Sequence, residues 1–446
     1  MFAKTKKILA LVLALLMVAT AFAGCGDNSN NNNNSGSGTA EGDPVLKTLD
    51  DGTPLLNLYE EDNVTIKVWG PEKSLELLRK QCDDFAALYP EKKISFDIKA
   101  VSEKDARAQL LNDPDEAADV FSFVSDHMLK LGEQSKALQA ITVKEVVESI
   151  KNNNLADAVK AAICEVEDET TGEKKEVFYG YPITGDNGYC LFYDKSYLTE
   201  DDVKTLEGIV NKCTESKRFH FNLGDGFYAC SMLFTGGMTL DISADKKKQV
   251  LNYDMDSIMA TAKAFSKLFN NNKAVVSGDD TVLTSRIGDD IVAGVTGTWS
   301  ASAIKEKLGD NFAVAKLPTI NVNGEDKQMI SMHGYKLMGV NAKTKSPLTS
   351  RALACYLSGE KCQIERAEAL GFGPSNLKAL ENDVSKNDPT LVAINEQQKY
   401  SIPQLIISNG FWDPMAAFGE YIYTGADQSD ATMKTELKKL IENAQL

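Results

Sequence analysis

The apolar positions of this chain change period along its length. Val64, Ile66 and Val68 alternate with polar residues, the two-residue repeat of a strand, up to Trp69-Gly70-Pro71. Leu75, Leu78, Cys82, Phe85 and Tyr89 then recur every three or four residues, which predicts one apolar helix face that Pro90 stops. Ile94, Phe96 and Ile98 alternate again, and DVFSFV at 119–124 predicts another short strand whose polar turn, Ser125-Asp126, leads into a helix. Strand, helix and strand in that order predict a parallel β-α-β unit, hence an α/β fold.

The middle of the chain is more helical. Met259, Ala262, Phe265, Leu268 and Phe269 form one stripe after a candidate cap at Asp254 or Asp256. Ile291 to Thr296 is an apolar run broken by Gly297-Thr298-Trp299, where a further helix starts. Helical spacing returns from about Ser346 to Leu370 and ends at Gly371-Phe372-Gly373-Pro374. Met433, Leu437, Leu440 and Ile441 mark one face of a last helix over 432–445. No repeat is visible, and no linker divides the chain into contiguous halves, although 446 residues predict two or three domains. Interleaved domains fit both facts.

The first residues belong to no fold. Lys4, Lys6 and Lys7 precede an apolar run, Ile8 to Ala23, that is too short to span a membrane and reads as a secretory signal over 1–24. AFAGC admits two processing routes. Ala21-Phe22-Ala23 is an A-x-A site that would release the chain, whereas Phe22-Ala23-Gly24-Cys25 is similar to a lipobox, with Phe22 in the place usual for leucine and Cys25 as the lipidated residue. The Asn/Ser/Gly tract that follows has little to bury and suits a flexible tether, assigned to 25–62, which favours the lipid.

The formal charge is −16, and −19 once the three signal lysines are removed. So acidic a chain argues against nucleic acid and against anionic lipid heads. Seven cysteines follow Cys25, an odd number without metal-type spacing; Cys355 and Cys362 lie two helical turns apart. They read as small core residues rather than a disulfide framework, although exported chains usually pair their thiols. His127, His220 and His333 are too scattered to suggest an iron or zinc site, and no cofactor is implied.

One stretch asks for a ligand. In FHFNLGDGFYACSM, 219–232, aromatic rings crowd the acidic turn Gly224-Asp225-Gly226. Asp225 is a turn former or a ligand carboxylate; Phe219 and Phe221 flank it with strand alternation and read as core. A sugar ring suits such a pocket. Its faces carry C–H bonds that stack on aromatic rings, and its edge carries hydroxyls that donate to carboxylates.

ADVFSFVSDHMLKLGEQSKALQAIT, YGYPITGDNGYCLFYDKSYL, FNLGDGFY, GVTGTWSASAI and YSIPQLIISNGFWDPM follow one another in the chain. In that order they resemble segments of the maltose/maltodextrin-binding proteins, the solute-binding subunits of carbohydrate ABC importers, from about Asn63 to the C-terminus. The resemblance implies two α/β lobes of the periplasmic-binding-protein type, a hinge crossed three times, and a ligand cleft between the lobes. It implies a first lobe over 63–183 and 337–388 and a second over 184–336 and 389–446. By the same resemblance Asp225, Phe227 and Tyr228 contact sugar, Asp126 is an acidic ligand of the first lobe, and Phe123 stands where the family often has tryptophan. Asp186 stands where a glutamate reaches a hydroxyl, Trp299 and Trp412 match two stacking tryptophans, Trp69 lines the cleft mouth, and Tyr335 lies near the hinge. The expected partners are a maltooligosaccharide and a membrane permease, the expected state is a monomer, and the only membrane contact is a lipid.

Two other classes stay in view. Asp126, Asp186 and Asp225 could furnish the carboxylate pair of a glycoside hydrolase, but they would face one another across a moving cleft. No GxSxG, HExxH or phosphate loop is present. Carboxylates among rings also suit a polyamine, or a different oligosaccharide.

Overall fold

The computed structural model describes residues 43–167, 172–243, 248–405 and 407–445. The signal segment, Cys25 and the Asn-rich tract lie outside the described residues. From Pro44 to Leu446 the chain forms one compact unit.

Two sheets organise it. In the first, Val64–Gly70 lies between Ile94–Ala100 and Val120–Val124 and is parallel to both. The helix Leu75–Ala86 makes the crossover, burying Leu78, Cys82 and Phe85 as its spacing predicts. The sheet continues through the long strand Ser331–Val340, antiparallel to Val120–Val124 and Gly180–Gly188 and parallel to Ser401–Pro403. The second sheet runs Val275–Val276, Arg218–His220, Ile291–Thr296, Cys190–Asp194, Phe312–Ala315. Each sheet has its own hydrophobic core, one drawing on Leu55 to Ile183 and Tyr335 to Cys362, the other on Tyr189 to Met332 and Ile407 to Ala444.

Several elements differ from the pattern that predicted them. The helix Met255–Phe269 is capped by Asp254, whose side chain accepts from the Ser257 amide. It buries Ile258, Ala262, Phe265 and Phe269, while Met259 and Leu268 flank that stripe and are only partly buried. The helical stretch after Ser346 is two helices, Pro347–Leu357 and Glu360–Leu370. Gly359 divides them, and a Cβ there would stand 2.4 Å from Thr53 Oγ1. Gly371, at φ +67°, ends the second in a left-handed cap. The turn after Val120–Val124 leads not into an ordinary α-helix but into a 3-10 turn, Ser125–His127, and a π-helical segment, Leu129–Gln134. The last helix, Asp430–Ala444, buries Met433, Leu437, Leu440 and Ile441 as expected. Cys82, Cys190, Cys213, Cys230, Cys355 and Cys362 are free, and these six and Cys164 are all buried.

Residues 44–62, counted with the tether from their place after the Asn tract, are folded. Val45–Thr48 pairs with Pro54–Leu56, and Leu55, Leu56 and Leu58 are buried in the first core. Tyr89 Oη donates to the Leu56 carbonyl at 2.6 Å. Glu61 then does a task that Ser346 leaves undone. The Ser346 side chain makes no cap hydrogen bond, and the Glu61 carboxylate accepts from the amides of Leu348 and Thr349 at 2.9 and 2.8 Å and from Thr349 Oγ1 at 2.7 Å. A carboxylate at a helix N-terminus satisfies otherwise orphaned N–H groups and the dipole together. Glu61→Ala is therefore expected to cost about 1–2 kcal/mol, read as a lowered denaturation midpoint with unchanged slope; an unchanged midpoint would discount this cap.

Candidate functional site

The acidic turn shows why its residues are those and no others. After Arg218–His220 the chain turns at Asp225, and Asp225 Oδ1 accepts from the Phe227 amide at 2.9 Å, capping the short helix Gly226–Ala229. Gly226 is required by proximity, since a Cβ there would lie 2.3 Å from the Trp412 carbonyl oxygen. That approach brings the turn against the helix Trp412–Thr424 and gathers the rings. The Phe227 centroid lies 6.3 Å from those of both Trp299 and Trp412, 5.1 Å from Tyr189 and 5.4 Å from Tyr228. Phe227, Trp299 and Trp412 are half-buried, whereas Tyr189 and Tyr228 are buried beneath them.

Trp299 is held by a residue the sequence reading passed over. Asp280, first residue of the helix Asp280–Arg286, accepts from Trp299 Nε1 at 2.7 Å, from Tyr228 Oη at 3.0 Å and from Thr296 Oγ1 at 2.9 Å. Nothing local marks it, because all three donors come from other segments. Asp280→Asn replaces one acceptor oxygen by a donor and is expected to cost about 1–2 kcal/mol. It should also shift the Trp299 emission; an unchanged spectrum would count against this hold.

Asp186 and Asp126 are both buried. Asp186 Oδ2 accepts from Thr298 Oγ1 at 2.6 Å and from the Gly373 amide at 2.8 Å, while its Oδ1 has no protein partner. Asp126 Oδ1 likewise lacks one. Burial raises the Asp126 carboxyl to about 6, against the opposing pull of Arg107 and a hydrogen bond from Gln404. Asn187 Nδ2 holds Gln404 Oε1 at 2.9 Å.

One helix supplies the facing charges. Glu103–Asn112 presents Glu103 at 3.7 Å from Lys336, Lys104 at 3.9 Å from Asp225, and Arg107 toward Asp126. Lys73 donates to the Trp299 carbonyl, and burial followed by the charge of Lys336 lowers its pKa. None of Glu103, Lys104, Arg107, Lys336 and Lys73 stands out in the sequence. Charged residues on a short helix are ordinary, and only the fold gives them opposite numbers.

Trp69 and Phe123 are not brought to this cluster. Trp69 is 8% exposed and packs on Phe121, their centroids 6.3 Å apart; Phe123 is 0% exposed and lies against Phe121 and Gly339. Both are core side chains of the first sheet in this structure. The cause is strand alternation, which turns 121 and 123 to one face, and that face is covered. Phe219 and Phe221 are core as expected, both 0% exposed. Tyr335 is buried edge-on to His333. Among the described residues, no three His, Cys, Asp or Glu side chains gather as metal ligands.

A paired sheet, a second sheet and a ring-lined acidic site between their segments agree with a match of residues 80–393 to the family of bacterial extracellular solute-binding proteins. The chain belongs to that family. It is thus a binding protein and not an enzyme. Solved structures of two-lobe binding proteins share the solute-binding fold seen here. The maltodextrin-binding protein MalE1 of L. casei BL23, without ligand, superposes with a TM-score of 0.72 at 22% identity, covering 86% of this chain and 99% of that one. The Thermus thermophilus maltotriose-binding protein with maltotriose gives 0.68 at 18% identity, covering 85% and 98%. A galactooligosaccharide-binding protein of Bacillus subtilis (strain 168) is 27% identical over 275 residues, 56% of this chain and 63% of its own length. That match spans less than two thirds of the relative. Among the described residues, no helix of this solute-binding protein is long and apolar enough to cross a membrane.

Proposed function

We propose that this solute-binding protein captures a maltose- or maltodextrin-type α-glucan oligosaccharide by closure of its two lobes, and delivers it to the permease of a carbohydrate ABC importer. The observation that carries the reading is the convergence of Phe227, Trp299 and Trp412, half-buried, beside Asp225 and the unpartnered oxygen of Asp186. Flat rings for sugar faces and acceptors for hydroxyl edges are what an amphipathic pyranose needs. Solved relatives that carry maltooligosaccharides on this fold support it.

The lobe division belongs to the same proposal, with residues 63–183 and 337–388 in one lobe and 184–336 and 389–446 in the other. The separate cores support it, and the strands Gly180–Gly188 and Ser331–Val340 would carry two of the hinge crossings. Anchoring through a lipidated Cys25 on the outer face of the membrane, and action as a monomer, complete the reading. A second reading, a galactooligosaccharide on the same site, is favoured by the Bacillus subtilis relative. Calorimetry with maltose, maltotriose, a galactooligosaccharide and spermidine separates them. The first reading expects micromolar binding of maltotriose, about 8 kcal/mol, and no shorter products after incubation. Heat from the galactooligosaccharide alone would establish the second, and no heat from any glycan would overturn both.

A further inference from the structure

Lys336 sits in the long strand Ser331–Val340, paired on one side with Val124 and on the other with Thr184. It is 7% exposed, an unusual place for an ammonium. Its Nζ lies 4.9 Å from the Phe372 ring centroid and 5.8 Å from that of Trp299. Glu103 Oε1 is 3.7 Å away, close enough for attraction and too far for a hydrogen bond. Among the described residues the ammonium donates to no protein acceptor, and the Glu103 carboxylate, also largely buried, accepts from no protein donor. Buried charges left without hydrogen bonds are costly, so such groups ordinarily find partners. Here neither member has a protein hydrogen-bond partner, and neither is among the fully buried unpartnered atoms, so both stay open to a ligand at the ring cluster of the proposed cleft.

We propose that Lys336 and Glu103 form a donor–acceptor subsite beneath Trp299 that grips a vicinal pair of neutral hydroxyls on the glycan; this rests on the carbohydrate reading above. A hydroxyl accepts from the ammonium, and its neighbour donates to the carboxylate, so one diol satisfies both. A neutral diol is the ligand group that uses the donor and the acceptor together without unbalancing the pair. Glu103 and Phe372 also border a cavity of about 30 Å³, shared with Ser122, Thr184 and Arg366. It has room for a water and none for a sugar ring. The hydroxyls of the ligand, not its ring, reach this level, where Ser122 Oγ and Thr184 Oγ1 are also without a protein partner.

The test is calorimetry of the parent, Lys336→Met and Glu103→Gln with maltotriose and its monodeoxy analogues, beside a melting curve for each protein. The expected result is at least a tenfold loss of affinity in each variant without a lower melting temperature. In addition, one deoxy analogue that binds the parent at least tenfold more weakly than maltotriose should bind Lys336→Met no more weakly than maltotriose does. Such non-additivity is the mark of direct contact. Lys336→Met at parental affinity, or deoxy penalties unchanged in the variants, overturns the subsite alone. Should Lys336→Met fail to fold, Glu103→Gln carries the same comparison. No heat from maltotriose with the parent overturns the functional reading and the subsite with it.

Discussion

A Trp412→Ala variant is expected to bind maltotriose roughly 30- to 150-fold more weakly than the parent, about 2–3 kcal/mol, with little change in stability. The ring stands at the head of the helix Trp412–Thr424, edge-on to Phe411 at 5.2 Å and tilted against Phe227 at 6.3 Å. Part of it is thereby fixed, and the half left uncovered is a preorganised surface for a sugar face. Removing it deletes stacking area without opening a sealed core. Trp69 provides the contrast. At 8% exposure against Phe121 it is packed on nearly every side, so Trp69→Ala is expected to cost about 3–5 kcal/mol of stability through the cavity it leaves. The affinity of the folded fraction should stay within a few-fold of the parent. Calorimetry and urea denaturation on both variants decide the matter. Parental affinity in Trp412→Ala would remove the second-lobe platform, and a stable Trp69→Ala that no longer binds would return Trp69 to the cleft.

Asp126→Asn is expected to stabilise the ligand-free protein at pH 8 and to flatten its pH dependence between about pH 4 and 6. The sign follows from proton binding. Burial raises the folded carboxyl to about 6, from 3.8 for the free group, so the folded state holds its proton more tightly than the unfolded chain. Stability is then greatest below the unfolded value, falls as the pH rises toward 6, and is level beyond it. Two units correspond to about 3 kcal/mol at most, less whatever Arg107 and Gln404 lose when the charge is removed. If a sugar hydroxyl donates to this carboxylate, affinity in the parent rises through pH 6 and binding releases a proton, detectable as a heat that varies with buffer ionisation enthalpy. An Asn variant with the parental slope from pH 4 to 6 would show that Asp126 is not the group responsible.

These three variants mark how far the site was legible. Phe227, Tyr228, Trp299 and Trp412 come from segments whose order resembles a known family, and the fold does gather those four rings. The same resemblance named Phe123, yet alternation within Val120–Val124 seals it in the core. Asp225 shows both of its possible characters, since one oxygen caps Gly226–Ala229 and the other faces Lys104 at 3.9 Å. Asp280, Lys73, Glu103 and Lys336 carried no signal. Each is an unexceptional charged residue until a distant segment supplies its partner.

The chain alone determined the local elements. The two-residue repeat at 64–68 and 94–98, the three-and-four spacing from Leu75 to Phe85, and the apolar face of the last helix are written within a few turns of backbone. It did not determine that Pro44 to Asp62 folds onto the first core, because the three leucines buried there, Leu55, Leu56 and Leu58, have no period to betray them. Nor did it settle which carboxylates keep a free oxygen. Asp186 is engaged from 112 and 187 residues away, by Thr298 and Gly373. Periodicity is a property of neighbours along the chain, whereas hydrogen-bond partners and burial arise only when remote segments are folded together.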